Sequence, residues 1–222
     1  MTDLVAHRGF AGLHAENTVP AVRAAAARAD AVEVDVRRCA DDLVCCHDAT
    51  LDRVTGESGR VADRTAAELG AIPVFDGPAG VPRLADVVDA VPADTGLVLE
   101  VKERDVAGET AELAADAPNA VTVSSFDRSA LATVREAAPG VDRALLVAES
   151  PDRAVRQATD LDCAAVHAAR DLCLRSRVVP LAREAGLDVA AWTVRSDFVA
   201  SLLGRRGVDA LIADRPVRSW AP

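Results

Sequence analysis

From residue 97 to residue 213 the chain alternates short apolar runs with Ala-rich and Arg-rich amphipathic stretches, and that rhythm allows few folds. The strand-like runs cover 97–101, 121–124, 143–147, 163–167, 189–194 and 210–213. Between them the apolar spacing predicts helices over 106–117, 128–138, 152–159, 174–185 and 198–206. A strand followed by a helix, repeated, calls for a parallel sheet with crossover connections, and the count favours a closed eight-stranded α/β barrel. The first third fits the same plan, with a strand at 4–7, a helix at 20–29 and a strand at 32–36. Residues 37–42 are too few for a crossover, so the next strand, 43–47, must return as a hairpin. That makes nine strand candidates for eight staves, and one is an extra. Residues 49–81 are richer in Gly, Pro and charge and read as a short insertion over one barrel end. The whole chain, 1–222, reads as one domain.

The second strand is Val32-Glu33-Val34-Asp35-Val36. Its side chains alternate faces, so Glu33 and Asp35 share one side and the valines the other. Two carboxylates on one strand face repel each other and lose hydration if buried. A bound divalent cation removes both problems, whereas a solvated outer face avoids them. Other polar residues gather where a barrel places function, at the C-terminal ends of strands. These are His7-Arg8-Gly9, His47-Asp48, Glu100-Val101-Lys102 and Trp192-Thr193. A hairpin turning near Asp41 would bring His47 opposite Asp35 or its neighbour.

Glu33, Asp35 and Glu100 form an all-oxygen ligand set suited to hard cations such as Mg²⁺, Ca²⁺ or Mn²⁺. Arg8 offers a planar fork that can grip a phosphate. Lys102 is the single lysine of a chain that otherwise uses Arg for its cations, which argues for a role in the site. His7 and His47 can serve as general acid and base. His14 and His167 lack charged company and read as structural residues. Asn17 and Thr18 read as a helix cap, with Pro20 following. Glu16 fits either the cap or the site, and Trp192 either the core or a pocket wall.

A formal charge of −10 argues against binding nucleic acid or anionic membranes. No run is long enough to span a bilayer, and the first residues contain no apolar signal segment. The cysteines are odd in number (Cys39, Cys45, Cys46, Cys163 and Cys173) and form no C-x-x-C pair. They read as buried thiols in a reducing compartment, and the expectation is a cytoplasmic protein. The abundance of acidic residues and Arg is like that of a salt-loving organism's proteins.

Taken in order, the motifs resemble the glycerophosphodiester phosphodiesterases. They are His7-Arg8-Gly9, Glu16-Asn17-Thr18, Val32-Glu33-Val34-Asp35-Val36, His47-Asp48 with Leu51-Asp52-Arg53-Val54-Thr55-Gly56, Leu99-Glu100-Val101-Lys102, Ser124-Ser125-Phe126, Trp192-Thr193-Val194 and the closing 207–216. The resemblance implies a TIM (β/α)8 barrel with a short insertion near the second strand, and a divalent metal, usually Ca²⁺ or Mg²⁺. By position it puts the metal on Glu33, Asp35 and Glu100, the acid/base histidines at His7 and His47, and the phosphate cations at Arg8 and Lys102. The sequence departs from the family pattern at Ala15, where a proline is common, and at Val81-Pro82-Arg83-Leu84. The insertion would roof the pocket, with Phe75 as its only aromatic. The expected reaction is hydrolysis of a small glycerophosphodiester to an alcohol and glycerol 3-phosphate. Alternatives are a lysophospholipid or phosphoinositol ester as substrate, a Schiff-base aldolase using Lys102, and a binding protein without turnover.

Overall fold

The computed structural model describes residues 2–217. Its strands are β1 (Asp3–His7), β2 (Ala31–Arg38), β3 (Leu43–Cys45), β4 (Gly96–Val101), β5 (Val121–Ser125), β6 (Asp142–Val147), β7 (Ala165–Ala169), β8 (Asp188–Val194) and β9 (Ala210–Ala213). Eight of them pair in parallel, and the β1–β2 pairing closes the ring in the order β1, β2, β4, β5, β6, β7, β8, β9. This is a TIM barrel. β7 therefore stands opposite β2 across the ring. The extra strand is β3, antiparallel to β2 with Val36 facing Cys45 and Arg38 facing Leu43.

Strand alternation builds two apolar layers. Val32, Val34, Val36, Leu97, Leu99 and Val101 face outward and pack under the first helices. Leu145, Val166, Val189 and Leu211 do the same under the later ones. The inward positions near the strand starts are filled by small residues, Val5, Val98, Ala190 and Ile212 with Ala31 and Ala210. Nearer the strand ends the inward side chains turn polar, and the interior opens into a mouth.

Most expected elements lie within two residues of their positions. The helix expected over 174–185 is instead two, Arg170–Arg175 and Val178–Glu184. Ser176 divides them, its hydroxyl donating to the Leu172 carbonyl (2.7 Å) and accepting from the Val178 N–H (3.1 Å). The strand expected at 163–167 begins two residues later. A helix that the sequence reading omitted, Leu84–Ala90, leads from the insertion into β4. The insertion has its own core, in which Leu51, Val54, Val61, Leu69, Ile72 and Val74 pack against Cys39, Val44 and Cys46 of the hairpin. All five cysteines are free and buried. No helix among the described residues is long and apolar enough to cross a membrane.

Candidate active site at the barrel mouth

The loop after β1 has three consecutive residues at positive φ, Arg8 (50°), Gly9 (73°) and Phe10 (64°). A Cβ on Gly9 would press on the backbone of Ala21 at 3.0 Å, so glycine suits both the turn and the close approach. The turn aims the Arg8 N–H at Glu33 Oε2 (2.8 Å), and its guanidinium reaches Asp35 Oδ2 (3.0 Å) and Glu16 Oε1 (2.9 Å). Thr18 caps the following helix, Val19–Ala26, accepting from the Ala21 N–H. Asn17 is no cap. Its side chain donates to Asp35 Oδ2 (2.8 Å) and accepts from the Asp35 N–H (3.1 Å), gripping that residue by its carboxylate and its backbone.

Glu33, Asp35 and Glu100 are buried, and one oxygen from each lies within 4.8 Å of the others. Burial, then repulsion from Asp35, raises the Glu33 pKa. Burial alone would raise Asp35 too, but Lys102 and Arg8 hold it below the ordinary carboxylate value. Lys102 Nζ touches Asp35 Oδ1 (2.7 Å) and Glu100 Oε1. Burial disfavours its charge, yet those two carboxylates outweigh burial and raise its pKa. A lysine held this firmly as an ammonium is poorly placed to form a Schiff base. Glu33 Oε1 is buried without a hydrogen bond. An unpaired carboxylate oxygen in a three-carboxylate cluster fits a hard divalent cation.

β4 and β3 both pair with Val36, so β3 occupies the edge of β2 that β1 leaves after His7 meets Glu33. The Cys46 N–H donates to the Asp35 carbonyl (3.0 Å), which puts His47 one residue beyond Asp35's partner. The two histidines thus reach the carboxylates from opposite ends of one strand edge. Each has an aspartate behind it. His7 Nδ1 donates to Asp214 Oδ1 (2.6 Å), and Arg195 Nε donates to the other Asp214 oxygen (2.6 Å). His47 Nδ1 donates to Asp48 Oδ1 (2.6 Å), and Arg53 holds the other Asp48 oxygen. Arg53 also donates twice to Glu16, at 2.9 and 2.6 Å. Burial would lower the His7 pKa, but Asp214 and the nearby carboxylates outweigh it and raise it.

His7, Arg8, Glu33, His47, Glu100 and Lys102 border one cavity of about 320 Å³. Its far wall is less polar, with Leu146, Phe126, Trp192, Ile212 and the buried His167. Trp192 meets Phe126 edge to face with centroids 5.6 Å apart, and its indole N–H donates to the His167 carbonyl (2.8 Å).

The sequence matches the Glycerophosphoryl diester phosphodiesterase family over residues 7–218. The chain belongs to that family. A glycerophosphodiester phosphodiesterase of Caldanaerobacter subterraneus is 29% identical, aligned over 97% of this chain and 95% of the relative. That of Bacillus altitudinis is 30% identical over 68% of this chain and 70% of its own. Among solved structures, an Oleispira antarctica phosphodiesterase in complex with the product sn-glycerol-3-phosphate superposes with a TM-score of 0.88. Its identity is 26%, over 97% of this chain and 94% of that one. The Thermotoga maritima glycerophosphodiester phosphodiesterase gives 0.84 at 27% identity, over 96% and 95%. The chain is thus a phosphoric diester hydrolase of the glycerophosphodiester phosphodiesterase family.

All nine residues singled out in the sequence (His7, Arg8, Glu16, Glu33, Asp35, His47, Glu100, Lys102 and Trp192) lie at the mouth, Asp35 just beneath its surface. Sequence reasoning gave no role to Asp48, Arg53 or Asp214, although each stood inside a quoted motif. The signal was available for the first, since an acid beside a strand-end histidine is a natural partner. Asp214 lies 207 positions from His7, and only closure of the barrel brings them together. Of the insertion, Arg53 alone borders the cavity, so the insertion flanks the mouth and does not roof it.

Proposed function

We propose that this site hydrolyses small glycerophosphodiesters to an alcohol and glycerol 3-phosphate, by acid/base catalysis at His7 and His47 with a divalent cation on Glu33, Asp35 and Glu100. The observation that carries the reading is the pair of aspartate-backed histidines beside a buried carboxylate cluster. The product seen in the Oleispira antarctica relative supports a glycerol phosphate ligand here. A divalent cation supplies a Lewis acid for the phosphoryl oxygens when bound. Arg8 and Lys102 add fixed positive charge where negative charge grows in the transition state. With Nδ1 committed to an aspartate, each histidine has Nε2 left for proton transfer. One takes the proton of the attacking hydroxyl, which is water or the adjacent glycerol hydroxyl; in the second case a cyclic glycerol phosphate forms and water then opens it to glycerol 3-phosphate. The other protonates the departing alkoxide. Asp214 and Asp48 orient the rings, and Asp214 favours the charged form of His7. Mg²⁺ and Ca²⁺ suit the all-oxygen set best, with Mn²⁺ a further candidate. The free, buried thiols suit a cytoplasmic protein, and we take 1–222 as a single catalytic domain.

The test is release of glycerol 3-phosphate from glycerophosphocholine, with EDTA and then with Mg²⁺, Ca²⁺ or Mn²⁺ restored, at low and high salt. Release that EDTA abolishes and one cation restores is the expected result. Release that continues in EDTA would remove the cation from the reading. No release under any condition would overturn the substrate.

A further inference from the structure

His167 is the one histidine at the mouth that the proposed chemistry does not use. On β7 its neighbours Val166 and Ala168 face the helices, so its own side chain points into the barrel. The ring borders the cavity, and neither of its nitrogens has a hydrogen-bond partner among the described residues; Nδ1 is fully enclosed, so Nε2 is the atom open to a ligand. Beside it in the sheet stand Leu146 on β6 and Ala190 on β8, neither of which can supply one. Burial lowers its pKa to about 4, so the ring is neutral at working pH and carries one donor and one acceptor nitrogen. Its backbone carbonyl accepts from the Trp192 indole N–H, which ties this point of β7 to the cavity wall.

Buried polar groups are nearly always paired, and a ring that the protein leaves unpaired at a ligand cavity is available to that ligand. β7 faces β2 across the ring, so His167 looks over the mouth toward the carboxylates and the Arg8 and Lys102 cations. Arg8, Lys102 and His167 border the same cavity, whose volume of about 320 Å³ holds one small ligand. A phosphate held on the β2 side therefore extends its organic arm toward β7. We infer that His167 is a specificity residue whose ring hydrogen-bonds a hydroxyl of the substrate's glycerol arm. The inference rests on the glycerophosphodiester reading and adds a wall that distinguishes a polyol from an alkyl chain. A site built around such a bond discriminates strongly against the ligand lacking the hydroxyl.

The experiment compares glycerol 3-phosphate with n-propyl phosphate, which keeps the phosphate and carbon chain but has no hydroxyls. Affinities are measured calorimetrically in one Mg²⁺ buffer for the wild type, His167→Leu and His167→Asn. The wild type is expected to favour glycerol 3-phosphate at least tenfold, a ratio that His167→Leu reduces about tenfold. His167→Asn, which keeps a donor and an acceptor, should recover part of it. An equal loss for both phosphates, or an unchanged ratio, overturns the inference. If His167→Leu does not fold, His167→Asn with the same two ligands decides, since a ratio identical to wild type in a variant with displaced polar atoms also overturns it. Wild-type release of glycerol 3-phosphate from glycerophosphocholine, run alongside, separates failure of this inference from failure of the functional reading.

Discussion

At His7 the carboxylate behind the ring sets both orientation and charge, and at His47 Asp48 orients the ring in the same way. Removing either ring by His7→Ala or His47→Ala should lower turnover about 10²–10⁴-fold. Cation affinity, measured by calorimetry, should stay near wild type because neither ring belongs to the carboxylate set. Turnover near wild type in either variant would contradict the assignment. Asp214 allows a stability test. Burial would raise its pKa, but His7 and Arg195 together hold it below the ordinary value. A carboxyl with a lowered folded pKa stabilises the fold above its unfolded value, and that contribution vanishes as pH falls through the folded value. Asp214→Asn should therefore cost about 1–3 kcal/mol at pH 7, read by urea unfolding. The gap to wild type should shrink below about pH 4. A gap independent of pH would show that no charge interaction is involved.

The elements that sequence patterning captured best are those whose outward face carries Val or Leu at every second residue, as in β2 and β4. There the alternation also put Glu33 and Asp35 on one face, and the strand-end position of Glu100 added it to them, while burial of the three became visible only in the fold. Patterning did less well where local hydrogen bonds override periodicity. Ser176 stops one helix and starts the next, while Pro180 sits in the first turn of the second, where its missing N–H costs little. Asn17 looked like a cap because its type and position suit one, and only the approach of β2 shows it clamping Asp35. His167 could have been found by the rule that a polar residue near a barrel strand's C-terminal end faces the mouth. The insertion makes its own prediction. A Cβ at Gly80 would overlap the Gly70 carbonyl, so Gly80→Ala must separate two segments of that small core. The expected cost is about 1–3 kcal/mol, seen as faster hydrogen exchange within 49–81 while β4 to β9 stay protected. Uniform loss of protection would mean that insertion and barrel unfold together.

Across the molecule, 35 acidic residues face 25 basic ones, and the folded chain works against its own charge. Screening relieves that repulsion, so the thermal midpoint should climb as NaCl rises from dilute buffer toward molar concentration. A midpoint that is flat or falls would show that local ion pairs such as Arg53–Glu16 outweigh the net charge. The ring itself imposes an order in time. β1 leaves a ribosome well before its neighbour β9 and the acid behind His7, which follow it only after every other stave. A nascent chain complete through Arg206 already contains both histidines, the three carboxylates, Arg8 and Lys102. Its His7 still has no Asp214, and β1 still has one open edge. If His7 acts as proposed, hydrolysis is expected only after the final stave has closed the barrel and brought Asp214 behind it.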